Sequence, residues 1–211
     1  MSERRFSTEQ EDFWAGSFGS EYIDRNRSAR LVSAATHRFS RILQATTQIR
    51  SVIEFGANIG INLHALHALL PEAKLAGLEI NSDAFAELKS LPWVTAYHGS
   101  MLDFAPPDQY DLTFTSGVLI HIAPEALPAA YARLYESSSR YIALVEYYNP
   151  TPVEITYRGH ARKAFKRDFA GEMLERFSDL ELRSYGFFYR RDANFPSDDV
   201  NWFLLERRPR S

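Results

Sequence analysis

The sequence predicts an α/β fold: an open, mostly parallel sheet with helices on both faces. Three observations predict it. Short apolar runs alternate with stretches of helical periodicity from Ser51 to Phe177, which is the pattern of βαβ units. Several of those runs, such as "KLAGLEI" and "YIALVEYY", are apolar on both faces, as strands between two helix layers must be. Two further runs, "LRSYGFFYR" and "VNWFLLER", are joined only by the turn-rich tip "DANFPSDD". That link is too short for a crossover helix, so they form an antiparallel pair.

The elements follow in order. Residues 1–12 are polar and read as mobile, and residues 13–26, "FWAGSFGSEYIDRN", mix aromatics with glycines. Leu31, Ala35, Phe39 and Ile42 share one face of a helix from about Arg27 to Ala45. "SVIEF" is the first strand, and Leu63, Leu66, Leu69 and Leu70 stripe the next helix. "KLAGLEI" is the second strand, followed by a helix over Ser82 to Lys89 with Asn81 or Ser82 as its cap. "WVTAYH" and "DLTFTS" are strands three and four. Pro124 opens a helix carrying Leu127, Tyr131, Leu134 and Tyr135. "YIALVEYY" is the fifth strand, and Phe165, Phe169, Met173 and Phe177 place a helix after it. The terminal pair brings the sheet to seven strands.

Bulk properties set limits. A chain of 211 residues builds one domain with a full core, or one with a small appendage. A net charge of -3 offers no global attraction to nucleic acid or anionic membrane. The absence of cysteine removes disulfides, thiolate metal sites and Cys nucleophiles. The N-terminus is too polar for a signal peptide, and no apolar run reaches the roughly 18–20 residues that span a bilayer. A cytoplasmic protein without membrane partners is expected.

The first strand runs into Glu54, Gly56, Asn58 and Gly60, spaced E-x-G-x-N-x-G. Glycine lets another group approach the backbone, and amides at a strand–helix turn favour a polar or anionic one. The second strand ends at Glu79, where a carboxylate accepts from both hydroxyls of a ribose. Three ligands compete for such a site. "GANIGIN" lacks the spacing and the Lys of a phosphate-cradling loop, and it lacks the G-x-G-x-x-G of dinucleotide folds. S-adenosylmethionine is the third.

With these features the chain resembles a class I S-adenosylmethionine-dependent methyltransferase over nearly its whole length, which implies a Rossmann-like seven-stranded sheet. "EDFWAGSFGSEYIDRN", "EYYNPTPVEITYRGH", "FKRDFAGEML" and "FPSDDVNWFLLE" are similar to methylases associated with pseudaminic acid biosynthesis. The resemblance implies that Glu54, Gly56, Ala57 and Asn58 line the methionine end of S-adenosylmethionine. Glu79 would hold the ribose, Ile80 would pack on the adenine, and Ser100 and Met101 would stand at the adenine edge. Ser100 occupies a place where many relatives carry Asp. Ser116 and Gly117 would flank the methionine amine. Trp14 and Tyr22, in an N-terminal lid of residues 1–26, would close over the cofactor on a single domain of residues 27–211.

Methyl transfer gains much of its rate from orientation and needs a base only for a protonated acceptor. Glu146, after the fifth strand, and His121, after the fourth, are the catalytic candidates. Residues 157–167, "YRGHARKAFKR", hold five cations and no acid. Cations in the first turns of a helix oppose its dipole, and a broken local rule marks function. The acceptor is therefore expected to be a small anionic molecule, held by Tyr147, Arg158, His160 and Arg162. His64 and His67 lack a third ligand, so no metal is expected. A cofactor-binding partner without catalysis and an RNA methyltransferase are the alternative readings. The short basic stretch argues against a nucleic-acid footprint, and nothing sets the oligomeric state.

Overall fold

The computed structural model describes residues 6–208. Residues 1–5, part of the expected N-terminal segment, and residues 209–211 lie outside them. Helices α1 (Glu9–Ala15), α2 (Ser17–Ile23) and α3 (Ala29–Leu43) precede the first strand, β1 (Ser51–Phe55). Then come α4 (Ile61–Leu69), β2 (Lys74–Glu79), α5 (Ser82–Lys89), β3 (Val94–His98) and β4 (Tyr110–Ser116). They are followed by α6 (Leu127–Ser137), β5 (Ser138–Glu146), β6 (Val153–Tyr157), β7 (His160–Lys166), α7 (Phe169–Arg176), β8 (Leu180–Phe188) and β9 (Val200–Arg207).

Seven strands form one sheet in the order β3-β2-β1-β4-β5-β9-β8. β1 to β5 run parallel, and β9 is antiparallel to both β5 and β8. The order reverses between β1 and β4, which opens a crevice beyond the carboxyl ends of the strands. Alternate residues of each strand serve opposite faces. Ile53, Ile142 and Leu144 pack with α6 and α7 on one face. Val52, Tyr141 and Ala143 pack with Phe39, Leu63 and Leu88 of α3, α4 and α5 on the other. Asn81 caps α5 as the sequence indicates, its Oδ1 accepting from the amides of Asp83 and Ala84.

Two expectations need correction. Residues 9–12 are helical rather than mobile. Thr8 caps α1, and Glu11 returns the bond to the Thr8 amide in a reciprocal capping box. The basic stretch 157–167 is a β-hairpin, β6–β7, and the helix after it starts only at Phe169. Arg158 and Gly159 form its two-residue turn with φ of 49° and 85°, the signature of a type I′ turn. The cations therefore do not oppose a helix dipole, and that argument for their function falls. The four-residue spacing of Phe165 and Phe169 spans a strand and a helix, with Asp168 capping the latter.

Candidate active site

The β1–α4 turn takes its shape from steric demands. Gly56 and Gly60 have φ of 77° and 87°, a region that L side chains rarely enter. A Cβ on Gly56 would stand 2.5 Å from Val118 Cγ2, so this glycine makes room for the loop after β4. The amides are also spoken for. Gly56 and Ala57 both donate to the Leu78 carbonyl, at 2.8 and 2.9 Å. Asn58 N donates to Glu79 Oε2, Ile59 N to the Asn58 side chain, and Gly60 N to the Ala57 carbonyl. The expectation of an anion on these amides is corrected: from Gly56 to Gly60 every backbone N–H is used internally.

Glu79 ties two strand ends together. Its Oε2 receives Asn58 N and its Oε1 receives Asn81 N, each at 2.7 Å. Burial raises its pKa, and the amides of Asn81, Asn58 and Ile80 oppose that rise. A carboxylate has about four lone-pair sites, so these amides do not exhaust its capacity to accept from a ligand hydroxyl.

A cavity of about 650 Å³ opens at these strand ends. Trp14, Tyr22, Glu54, Gly56, Ala57, Asn58, Glu79, Ile80, Ser100, Met101, Ser116 and Gly117 all line it. So do His121, Tyr147 and Arg158. A Cβ on Gly99 or Gly117 would meet nothing within 4 Å, and both residues border the cavity. The chain leaves room there. Three buried polar atoms of residues in the wall, Glu54 Oε2, Trp14 Nε1 and Arg38 Nε, have no hydrogen-bond partner. Burial pushes Glu54 up to about 8 against the pull of Asn62 and Arg38.

Helices α1 and α2 roof the cavity, and the contacts that hold them were not visible in the sequence. The Asn81 Nδ2 amide lies 3.2 Å from the carbonyl oxygens of both Trp14 and Gly16. Gln10 Nε2 donates to the Arg162 carbonyl at 3.0 Å. Lys163 pairs with Glu9, and Ser100 Oγ donates to Glu11. Glu11 thus sets a carboxylate beside Ser100. The roof is fixed to α5, to the β3 end and to the hairpin at once.

The two catalytic candidates occupy different environments. Glu146 is 2% exposed and does not line the cavity. Its oxygens accept the amides of Val118 and Leu119 at 2.9 and 3.0 Å, and of Ile120 at 3.4 Å. Burial pushes it up to about 7 despite those amides. Its place is that of a positioning group for the loop carrying Gly117 to His121. His121 is in the cavity wall, its ring 4.6 Å from those of Trp14 and Tyr157. Its Nδ1 lies 2.6 Å from the Lys163 carbonyl. A carbonyl only accepts, so Nδ1 carries the proton and Nε2 is left as the acceptor. Burial lowers the ring's pKa to about 4, partly offset by that carbonyl, so His121 is neutral at physiological pH.

Tyr22, Tyr147, Tyr157, Arg158, Arg190 and Asp198 also line the cavity. Tyr22 is pushed up to about 12 by burial and by its hydrogen-bonded neighbour Tyr157. Burial and Asp198, which bonds its hydroxyl, raise Tyr147. Arg158 sits 5.6 Å over the Tyr157 ring. His160 and Arg162, expected at the acceptor, do not line the cavity. His160 packs on Phe13 and Phe18, and Arg162 serves through its backbone. His64 and His67 flank Trp93.

No protein-family model and no curated sequence matches the chain. Solved structures do. The plantazolicin methyltransferase BpumL in complex with SAH matches with a TM-score of 0.65 at 14% identity, over 94% of each chain. CalS10, an amino pentose methyltransferase from Micromonospora echinaspora with SAM bound, matches at 0.63 and 14% identity, over 92% of this chain and 97% of its own. DesVI of Streptomyces venezuelae matches at 0.63 and 14%, over 96% and 100%. The fold is that of class I S-adenosylmethionine-dependent methyltransferases. Among the described residues no helix is long and apolar enough to cross a membrane.

Proposed function

We propose that the protein is an S-adenosylmethionine-dependent methyltransferase acting on the O or N of a small acceptor. The observation that carries this reading is the roofed cavity at the β1/β4 reversal, lined by Glu79 and by a set of tyrosines and arginines. The wall fits the cofactor. A buried carboxylate stands where a ribose diol would bind, glycines leave open space, and Glu54 and Trp14 hold unsatisfied polar atoms beside it. When bound, the cofactor supplies a methyl group on sulfur, open to in-line displacement. Residues 1–26 serve as the lid of a single domain of residues 27–211. It excludes water from the cavity and fixes the reacting groups, the main source of acceleration in such a transfer.

His121 is the base for a protonated acceptor. Its neutral state and its tautomer, set by the Lys163 carbonyl, present Nε2 for the proton. Glu146 acts through the loop amides and holds His121 in place. Arg158 and Arg190 favour an acceptor bearing a carboxylate or phosphate, such as a sugar acid or nucleotide-linked sugar. The likeness to pseudaminic acid-associated methylases makes acidic sugars the first acceptors to try, in a cytoplasmic setting. The test is incubation with methyl-labelled S-adenosylmethionine and a panel of acidic, amino and neutral sugars. Label in an acidic sugar supports the reading. Retained cofactor with no label in any acceptor would favour a binding protein without catalysis.

A further inference from the structure

The tip between β8 and β9 reaches the cavity, where Arg190, Pro196, Ser197 and Asp198 form part of the wall. Other groups hold the tip in place. Asp199 accepts the Arg190 amide at 2.9 Å and pairs with the Arg190 guanidinium at 3.3 Å. Arg38 Nη1 donates to Ser197 Oγ at 3.0 Å, and Phe195 stacks on His37 with ring centroids 4.7 Å apart. Asp198 has none of these duties. It accepts from the Tyr147 hydroxyl. Among the described residues no cation lies within ion-pair distance of it. Three tyrosines share the cavity with it, Tyr22, Tyr147 and Tyr157. Tyr22 and Tyr157 are hydrogen-bonded to each other, and the Trp14 ring lies 5.4 Å from the first and 6.2 Å from the second. Tyr157 stands 4.6 Å from His121, the proposed base. The charge of Asp198 acts on both Tyr22 and Tyr147, so the acid and the rings belong to one cluster. It acts on Arg158 as well. In a cavity for an anion alone, this carboxylate would repel the ligand that Arg158 attracts. A carboxylate among tyrosine rings suits a cation instead, because ring faces attract one and the acid gives it charge-assisted hydrogen bonds.

We propose that Asp198, with Tyr22, Tyr147 and Tyr157, binds a protonated amino group of the acceptor, which therefore carries an amino as well as an anionic substituent. This rests on the methyltransferase reading above and narrows its acceptor. The amino group held in this way is a handle for recognition. A protonated amine has no lone pair with which to attack a methyl group, so the methyl goes to another atom of the acceptor, and His121 takes the proton from that atom.

The test titrates glucosamine 6-phosphate and glucose 6-phosphate into protein saturated with S-adenosylhomocysteine, at a pH that keeps the amine protonated. The two sugars differ only in an amino group for a hydroxyl. Wild type should bind the amino sugar about ten- to thirtyfold more tightly. Asp198 is exposed, so Asp198→Asn keeps the fold. That variant should lose the preference, hold or gain affinity for glucose 6-phosphate, and bind S-adenosylhomocysteine as wild type does. Equal affinity for the two sugars in wild type, or an undiminished preference in Asp198→Asn, overturns the assignment. Binding of neither sugar to a protein that binds S-adenosylhomocysteine also overturns it and leaves the cofactor reading standing. A folded protein that binds no S-adenosylhomocysteine overturns both.

Discussion

Asn81→Ser separates the two jobs of one side chain. Asn81 is 2% exposed. Its Oδ1 caps α5 through Asp83 N at 3.0 Å and Ala84 N at 3.1 Å. Its Nδ2 holds the roof through the Trp14 and Gly16 carbonyls at 3.2 Å. Serine caps a helix about as well as asparagine, so α5 keeps its start. The two amide–carbonyl bonds go, at about 1 kcal/mol each. The closing equilibrium of the lid then falls about 30-fold, since about 1.4 kcal/mol is a factor of ten. Apparent affinity scales with the closed fraction. The dissociation constant for S-adenosylhomocysteine should rise between about twofold, for a lid almost always closed, and about thirtyfold, for one mostly open. Trypsin should cut faster at Arg25 and Arg27, between the lid and α3. Asn81→Ala should do the same and lose about 1 kcal/mol more from the missing cap. Unchanged affinity and unchanged proteolysis in a folded Asn81→Ser protein would refute the role of this amide as the lid's anchor.

Three other outcomes follow from the same geometry. Gly56→Ala forces a Cβ into Val118 at positive φ, at about 2–4 kcal/mol in urea denaturation, and Val118→Ala in the same chain should recover the steric part. Glu146→Ala strands the amides of Val118 and Leu119 and should cost about 2–5 kcal/mol, lowering kcat through the misplaced His121 loop; a stable variant with full kcat would remove the positioning role. His121 has a folded pKa of about 4, below its ordinary 6.5, so the unfolded chain binds more protons between those values. Its contribution to stability is complete above pH 6.5 and is lost as pH falls toward 4. Chemical denaturation of His121→Phe should show a shallower acid decline than wild type in that window, and parallel curves would contradict the burial of a neutral ring.

The sheet was legible because its signals are local. Alternating apolar runs placed every strand of the main sheet, and Asn81 followed by a periodic octet placed α5 within a residue. The glycine turn was legible in position but not in cause. Only the fold shows that a side chain on Gly56 would meet Val118, 62 residues away, and that the turn's amides are spent. The hairpin misread arose from Phe165, Phe169 and Phe177, whose spacing imitates a helix face. The alternation in "VEITY" and the Arg158–Gly159 turn were the competing local signals, and they won. Arg38 and Gln10 act through contacts made across the fold, so no periodicity marks them. His160 and Arg162 were grouped with Arg158 by charge alone, whereas Arg158 sits in the hairpin turn, His160 packs on Phe13 and Phe18, and Arg162 bonds through its backbone.

Calorimetric titration of the protein with S-adenosylmethionine and S-adenosylhomocysteine, with Glu79→Ala beside it, tests most directly whether the cavity holds the cofactor. Micromolar binding by wild type, lost in a variant that still melts cooperatively, is the predicted result. No heat from the folded wild type, or equal binding by Glu79→Ala, would contradict the placement of a ribose on Glu79 and, with it, the function proposed for the cavity.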